Sequence, residues 1–340
     1  MGRVLIPHLP IHGPRTYNPH VMSDLSISPP LTNAAGPHSV TREELIEIGQ
    51  SAGGAIVTKS MTHCPREGNP EPRWAPYVAD GHGSINSMGL NNLGYRGYAE
   101  IIPELAAYGK PVIASLSYAP CEHELPIPEQ YLLMARAMAE AGADALEVNL
   151  STPNLTGIPI ANDPDQIQSV LGPLMDEVAL PIAVKLPPYN NDLPLFDEVA
   201  GLLVELNVDA IATMNSEPNT MDIDLETRRK VIRPREGYGG LGGPAILPIA
   251  LAEVHRFYRY FQSQDADIAI WGCGGVDGAE DAIKHFLAGA SVVQIATALA
   301  WEGPNVFRMI WDGIEDWLAI HGHGTVGEII GTVRDADTKS

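Results

Sequence analysis

Eight short apolar segments recur along the 340-residue chain, and stretches with the spacing of amphipathic helices lie between them. Aliphatic and β-branched runs bounded by glycine or polar residues are typical of buried strands. Their alternation with helices predicts repeated β-α units, and eight such units close naturally into a (β/α)8 TIM barrel. The predicted strands are Ser28–Ala34, Ala55–Lys59, Pro111–Leu116, Ala145–Leu150, Ile182–Leu186, Ala210–Met214, Ile268–Trp271 and Val292–Ala296.

Two of the intervening segments carry clear helix signals. Thr41–Ser51 begins with Thr41 as the predicted N-cap, and Glu44 stands where a capping box requires an acidic side chain. Pro128–Ala141 has apolar residues at helical spacing. A doubly wound open sheet is the alternative arrangement, but no dinucleotide fingerprint follows the first predicted strand.

The predicted domain organisation is a single barrel over residues 23–340 that follows an irregular extension over residues 1–22. The extension contains two arginines and no acidic residue, as transit peptides do, but its four prolines would prevent an amphipathic helix. Two long insertions rich in Gly, Pro and Asn follow the second and sixth strands, namely Met61–Gly97 and Ser216–Leu247. We expect both to wall the mouth of the barrel.

The charge balance of 42 acidic against 21 basic residues gives a net charge of -21, which disfavours nucleic acid and anionic membrane surfaces as partners. No apolar run is long enough to span a membrane. Cys64, Cys121 and Cys273 are too widely separated for a metal-binding pattern, so we expect no metal and a reduced, cytoplasmic protein.

Glycines and a threonine at the last two predicted strand ends point to a phosphate-binding site. Gly272, Gly274 and Gly275 follow the seventh strand, and Ala296-Thr297 follows the eighth. Barrel enzymes commonly bind phosphate there through backbone N–H groups. The alternative is that these glycines only form tight turns. The run Gly239–Gly243 adds a backbone that a ligand can approach closely.

Two lysines and four asparagines lie at or beyond strand ends. Lys59 and Lys185 would meet an anion if their side chains face the barrel mouth. The alternative is a lysine whose ammonium group reaches solvent, and this alternative suits Lys59 better than Lys185. Asparagine offers a donor and an acceptor together, which matches a ring with alternating C=O and N–H groups. Each asparagine considered alone could equally well be a turn residue. The four are Asn86, Asn149, Asn154 and Asn215.

The order of these motifs, from about Ser26 to the end, resembles the dihydroorotate dehydrogenases, especially the soluble class 1A enzymes. The segments that carry the resemblance are Asn33–Gly36, Thr58–Ser60, Arg66–Pro70, Gly83–Leu90, Asn149–Asn154, Val184–Tyr189, Gly239–Gly243 and Gly272–Gly275.

The resemblance implies an FMN cofactor across the top of the barrel and a pocket for dihydroorotate or orotate beside it. The residues implied for FMN are Ala34, Ala35, Gly36, Lys59, Ser60, Lys185, Gly243, Gly274, Gly275 and Thr297. Those implied for the substrate are Lys59, Asn86, Met88, Gly89, Leu90, Asn149, Asn154, Asn215 and Ser216.

Thr152 is the main departure from the family pattern, because class 1 enzymes have a cysteine base at this position. Dihydroorotate must lose a proton to a base and a hydride to the flavin. The resemblance assigns the proton step to Thr152, with Lys59 as an electrostatic contributor, and class 2 enzymes already use a serine. Alternatives are Cys121 as a displaced base, a binding protein without turnover, or an oxidoreductase with another pyrimidine-related substrate.

The same resemblance implies fumarate as the electron acceptor and a homodimeric assembly. The three scattered cysteines offer no iron–sulfur site of the chain's own. A class 1B arrangement with a separate iron–sulfur subunit is the alternative.

Overall fold

The computed structural model describes residues 25–77, 82–121, 125–152 and 159–336, and the predicted extension over residues 1–22 lies outside them. In chain order, its strands are β1 (Leu31–Asn33), β2 (Ile56–Val57), β3 (Trp74–Tyr77), β4 (Gly83–Asn86), β5 (Val112–Ser117), β6 (Ala145–Asn149), β7 (Ile182–Lys185), β8 (Ala210–Thr213), β9 (Glu217–Thr220), β10 (Ile223–Asp224), β11 (Arg229–Lys230), β12 (Gly239–Gly242), β13 (Ala269–Cys273) and β14 (Val292–Ile295).

Eight of these strands form a parallel sheet in the order β1-β14-β13-β8-β7-β6-β5-β2. A parallel bridge between Thr32 and Ala55 joins the two ends of this order, so the sheet closes on itself. Each barrel strand overlaps one of the eight predicted segments. The predicted (β/α)8 barrel is therefore confirmed.

Helices occupy the connections between the barrel strands. Within the described residues they are α1 (Arg42–Gln50), α2 (Gly94–Leu105), α3 (Ile127–Ala141), α4 (Pro164–Glu177), α5 (Leu193–Glu205), α6 (Leu247–Ser263), α7 (Ala279–Ala288), α8 (Thr297–Glu302) and α9 (Val306–His321). The predicted capping box is present on α1, where Thr41 Oγ1 accepts from the Glu44 N–H and the Glu44 carboxylate accepts from the Thr41 N–H.

Side-chain alternation along the barrel strands separates two kinds of environment. In β6, Leu146 and Val148 belong to the large core between strands and helices. Ala145 instead packs in a smaller apolar cluster, together with Ala183 of β7 and Ala210 of β8. Because side chains alternate between the two faces of a strand, Glu147 and Asn149 point the same way as Ala145. Along β6, the interior of the barrel is thus apolar at its base and polar above.

The two predicted insertions meet in a second sheet, which we call the cover sheet. It is antiparallel, in the order β3-β4-β12-β9, so that strands from the first insertion pair with strands from the second. Gly240, Leu241 and Gly242 pair with Asn86, Ile85 and Ser84. Residues of both insertions line the cleft described below, as expected of insertions that wall the barrel mouth.

No helix among the described residues is long and apolar enough to cross a membrane.

Candidate active site

A cleft lies at the carboxyl ends of the barrel strands, against the cover sheet. Its empty space, counted out to the open mouth, is about 1020 Å³. The cleft is lined by residues of the cover-sheet strands, or of the turns beside them. Residues at the carboxyl ends of most barrel strands line it as well. The predicted site residues that line it are Ala34, Ala35, Gly36, Lys59, Ser60, Asn86, Met88, Leu90, Asn149, Thr152, Lys185, Asn215, Ser216, Gly243, Gly274, Gly275 and Thr297.

Two predicted site residues are not in this lining. Asn154 lies outside the described residues. Gly89 stands between two residues that line the cleft, Met88 and Leu90, and its carbonyl accepts a hydrogen bond from Arg66 Nε at 3.3 Å. The structure therefore brings the other predicted residues together, and their individual roles stay predictions.

Sequence reasoning missed eight lining residues. Several adjoin predicted positions and could have been found by extending each motif by one residue. Gln294 had its own signal, because it is the one polar residue in the apolar strand β14. The missed residues are Pro37, Trp74, Ser84, Met214, Ile246, Cys273, Val276 and Gln294. Gly242 and Ala296 also line the cleft, and both belong to segments that the sequence analysis named.

Asn149 and Asn215 are held by hydrogen bonds that converge on Ser151. Asn149 Nδ2 donates to Ser60 Oγ at 2.9 Å, and its Oδ1 accepts from both the N–H and the hydroxyl of Ser151 at 3.0 Å. Asn215 Nδ2 donates to Ser151 Oγ at 2.9 Å, and its Oδ1 accepts from the Ser216 N–H at 2.8 Å. These bonds fix both amide planes beside the cleft, as preorganised recognition requires.

Thr152 follows β6 and contacts the strand beside it. Its hydroxyl lies 2.8 Å from Ser117 Oγ at the end of β5. Ser117 also lies 3.3 Å from the Asn149 carbonyl, to which it can donate, and Tyr131 Oη donates to the same carbonyl at 3.0 Å. Ser117 is buried, so this contact places the Thr152 hydroxyl in a defined orientation at the cleft wall.

Both predicted lysines point into the cleft, and they are the charged residues among its lining. Lys59 and Lys185 are 6% and 4% exposed, so neither reaches bulk solvent as the alternative interpretation required. Lys59 Nζ donates to the Gly36 carbonyl at 2.8 Å. Burial, together with the positive charge of Lys185, lowers the Lys59 pKa to about 8. An anionic ligand would offset both effects.

Glu147 supplies a buried negative charge below the two lysines. Its Oε1 lies 3.9 Å from Lys185 Nζ and accepts from Ser115 Oγ at 2.9 Å. Its Oε2 accepts from Gln294 Nε2 at 3.0 Å. Ser115 Oγ lies 2.9 Å from Ser60 Oγ, the acceptor of the Asn149 amide. A continuous polar chain thus connects the barrel interior to the asparagines.

The glycine-rich end of the cleft depends on conformations that glycine adopts readily. Gly243 and Gly275 have φ angles of +93° and +81°. A Cβ on Gly275 would lie 2.4 Å from Leu247 Cα, so the loop packs directly against the start of α6. His285 Nε2 lies 2.9 Å from the Gly274 carbonyl, and burial lowers its pKa to about 4. The neutral imidazole therefore donates to Gly274 and anchors this loop, a role that the sequence did not suggest.

The cysteines differ from expectation. Cys64 and Cys121 form a disulfide between the loops that follow β2 and β5, although 57 residues separate them in the chain. Neither lines the cleft, so Cys121 does not stand where a displaced base is needed. Cys273 is free and buried at the end of β13, and burial raises its pKa.

The architecture matches that of a solved structure, the ligand-free type DHODH from Eimeria tenella. The TM-score is 0.75 at 21% sequence identity, with 96% of this chain and 95% of that chain covered. At this identity the comparison shows the fold alone.

Sequence comparisons extend over nearly the whole chain. The dihydroorotate dehydrogenase family model matches residues 21–318. The dihydroorotate dehydrogenase (fumarate) of Trypanosoma cruzi is 42% identical over 308 residues, which cover 90% of this chain and 94% of that protein. The protein of the same name from Trypanosoma brucei brucei is 39% identical, with 91% and 96% covered. A putative dihydroorotate dehydrogenase A (fumarate) from Streptococcus uberis is 38% identical, with 90% and 95% covered. The chain belongs to the dihydroorotate dehydrogenase family.

Proposed function

We propose that this chain is an FMN-dependent enzyme that oxidises (S)-dihydroorotate to orotate, a step of de novo pyrimidine biosynthesis, and passes the electrons to fumarate. One observation carries the proposal: two buried lysines and the side-chain amides of three asparagines line the same cleft. Relatives named dihydroorotate dehydrogenase (fumarate) support the choice of substrate and acceptor.

The residues around the cleft fit a flavin mononucleotide. Lys59 and Lys185 supply positive charge for an electron-rich ring. Gln294 Oε1 is buried without a hydrogen-bond partner at the cleft wall, and it matches the N–H groups of a flavin. Gly243, Gly274 and Gly275 leave the backbone open to a phosphate at one end. When bound, FMN accepts the hydride.

The substrate is held, in this proposal, by its carboxylate and by its alternating C=O and N–H groups. Lys59 pairs with the carboxylate, and Asn86, Asn149 and Asn215 bind the ring edge with donors and acceptors whose orientation the protein already fixes. Asn154, Ser216 and the Met88–Leu90 segment complete the pocket.

Thr152 is the proposed base for the carbon-bound proton. Its hydroxyl oxygen accepts the proton as its own proton passes to water in the open cleft, and Ser117 Oγ, 2.8 Å away, holds the hydroxyl in orientation. The ionised alcohol is thereby avoided, which matters because a free hydroxyl does not ionise appreciably near neutral pH. Lys59 stabilises the negative charge that develops as the C–H bond breaks. We further propose a homodimer in the cytoplasm, in keeping with the family.

The decisive experiment mixes the purified flavoprotein with dihydroorotate in the absence of oxygen. We expect the yellow flavin absorbance to bleach, and fumarate added afterwards should restore it. A flavin that binds orotate but stays oxidised at saturating dihydroorotate would show a binding protein without turnover. Reoxidation by an added iron–sulfur partner but not by fumarate would indicate the two-subunit arrangement. Perturbation of the flavin spectrum by uracil but not by orotate would indicate a different substrate.

A further inference from the structure

A histidine side chain, His63, lies beside the disulfide between Cys64 and Cys121. Three side chains here are placed to hold one metal ion, namely His63, Cys64 and Cys121. Their potential ligand atoms all lie within 4.8 Å of one another, and no other such group of His, Cys, Asp or Glu residues occurs within the described ranges. The Cα atoms of the two cysteines are 6.2 Å apart. All three residues are partly exposed.

His63 is placed as a nitrogen ligand to the same ion. Its Nδ1 lies 3.4 Å from Cys121 Sγ and 3.7 Å from Cys64 Sγ. With Zn–N near 2.0 Å and Zn–S near 2.3 Å, neighbouring ligands of a tetrahedral zinc ion lie about 3.5 Å apart. The imidazole therefore already stands at ligand distance from both sulfurs. Its ring stacks on Tyr95 with centroids 5.5 Å apart and planes 17° from parallel.

The backbone that carries the first two ligands is held by a buried side chain. Asn92 Oδ1 accepts from the Thr62 N–H at 3.1 Å, and Asn92 Nδ2 donates to Thr62 Oγ1 at 2.9 Å. Thr62 Oγ1 in turn donates to the Cys64 carbonyl at 2.6 Å. None of these hydrogen bonds involves a sulfur atom, so reduction of the disulfide removes none of them.

We propose that His63, Cys64 and Cys121 form a zinc site when the disulfide is reduced. A dithiol reductant supplies two electrons and two protons. The S–S bond breaks, each protein sulfur becomes a thiol, and the reductant leaves as its own disulfide. Zn²⁺ then displaces the two thiol protons and binds two thiolates and the neutral His63 Nδ1. Partial exposure leaves the fourth position to water, and the oxidised pair offers no thiolate, so it holds no zinc.

Arg66 connects this site to the cleft. It lies two residues after Cys64, and its guanidinium donates to the Gly89 carbonyl at 3.3 Å and to the Pro120 carbonyl at 3.4 Å. Gly89 stands between two cleft residues, and Pro120 immediately precedes Cys121. Zinc binding therefore holds together the loops after β2 and β5 at the rim of the cleft, without contact to its lining.

The test measures zinc bound to the flavoprotein in both oxidation states. Protein reduced with a phosphine under nitrogen is incubated with zinc sulfate, freed of unbound metal and analysed by mass spectrometry for zinc. We expect one ion per chain in the reduced protein and none above background in the oxidised protein. Cys64→Ser and Cys121→Ser should abolish binding, and His63→Gln should weaken it at least roughly tenfold in competition with a chelator. Cys273→Ser, remote from the site, should bind zinc as the parent does.

A second measurement uses the unaltered chain, so that misfolding of a variant cannot decide the result. Zinc should slow the alkylation of Cys64 and Cys121 in the reduced protein, as read by peptide mapping, and should leave Cys273 unchanged. The proposal is wrong if the reduced protein retains no zinc, if both serine variants retain it, or if the oxidised protein binds it equally. Reversible reduction of the pair with no zinc protection would also overturn it.

Discussion

The proposed chemistry of Thr152 depends on the orientation that its contact with Ser117 gives the hydroxyl. A cysteine at this position could reach a thiolate with modest tuning, because its reference pKa is near 8.5, whereas an alcohol remains protonated. A hydroxyl held in place by Ser117 offers another route, since Thr152 can pass its own proton to water in the cleft as it takes the carbon-bound proton. Ser117 is itself close to the Asn149 carbonyl, so the Thr152 hydroxyl and the proposed substrate-binding amide share one support.

Removal of the Thr152 hydroxyl should therefore slow proton abstraction and leave ligand binding intact. We expect Thr152→Val, which keeps the branched shape, to slow anaerobic flavin reduction by dihydroorotate by about 10²-fold or more, the usual contribution of a general base. Thr152→Cys should preserve or raise the rate. Stopped-flow absorbance of the flavin measures both, and orotate affinity is the control for an intact pocket. A Val variant with the parental rate would place the base elsewhere.

The pKa of Lys59 gives the proposed substrate site a pH dependence. Burial and the Lys185 charge lower it to about 8, so without a ligand Lys59 loses its charge as the pH rises through that value. A bound carboxylate favours the charged form, and binding above this pH therefore requires proton uptake. Orotate affinity should be level below about pH 7 and fall by roughly tenfold for each pH unit above 8. Flavin difference spectra at several pH values give the dissociation constants.

Lys59→Arg is the matched control for this titration. Arginine keeps its charge throughout this range, so the variant should bind orotate more weakly because of its different shape but with little change between pH 7 and 9. The same decline in the variant as in the parent would assign the titration to another group, including the ligand itself.

At the scale of elements, the loop after β13 should determine whether flavin binds. Gly275→Ala would force a side chain into a positive-φ position and bring its Cβ to 2.4 Å from Leu247 Cα. We expect the loop to shift and the purified variant to lose most of its flavin, measured as the ratio of visible to ultraviolet absorbance. Gly278→Ala is the control, because its Cβ would meet nothing within 4 Å and its φ of -156° suits any residue. Full flavin occupancy in Gly275→Ala would count against a cofactor at this loop.

The elements that the sequence predicted are those whose signal lies in a short window. Apolar runs located all eight barrel strands, and Thr41 with Glu44 located the start of α1, because capping acts over three residues. Strand-end residues such as Lys59 and Asn149 could be predicted to lie in one cleft, because parallel strands bring their carboxyl ends to one face of the barrel.

The features that were missed arise from contacts between distant segments. The cover sheet pairs Gly239–Gly242 with Gly83–Asn86. These strands could not be predicted from hydrophobic alternation, because glycine-rich segments show little of it. Cys64 and Cys121 meet only because their loops follow adjacent barrel strands. His285 lies on the outer helix α7 and reaches the Gly274 carbonyl through packing alone.

At the scale of the whole molecule, the net charge of -21 opposes the lysines in the cleft. Dihydroorotate and fumarate are both anions at neutral pH, so the protein's overall field repels them before Lys59 and Lys185 can attract them. The long-range field is screened over about 8–10 Å at physiological salt, whereas contacts inside a buried cleft are screened much less. Added salt should consequently weaken the repulsion more than the attraction.

Salt should therefore raise the efficiency with which the proposed enzyme uses an anionic acceptor. Between roughly 20 and 200 mM salt the Debye length falls from about 20 Å to about 7 Å, and we expect kcat/KM for fumarate to rise severalfold. An uncharged quinone feels no such field, so its kcat/KM in the same buffers should stay level and serves as the control. Steady-state orotate formation measures both. A fall with salt for fumarate would mean that the two buried lysines dominate the approach, and that the acidic surface lies too far from the cleft mouth to matter.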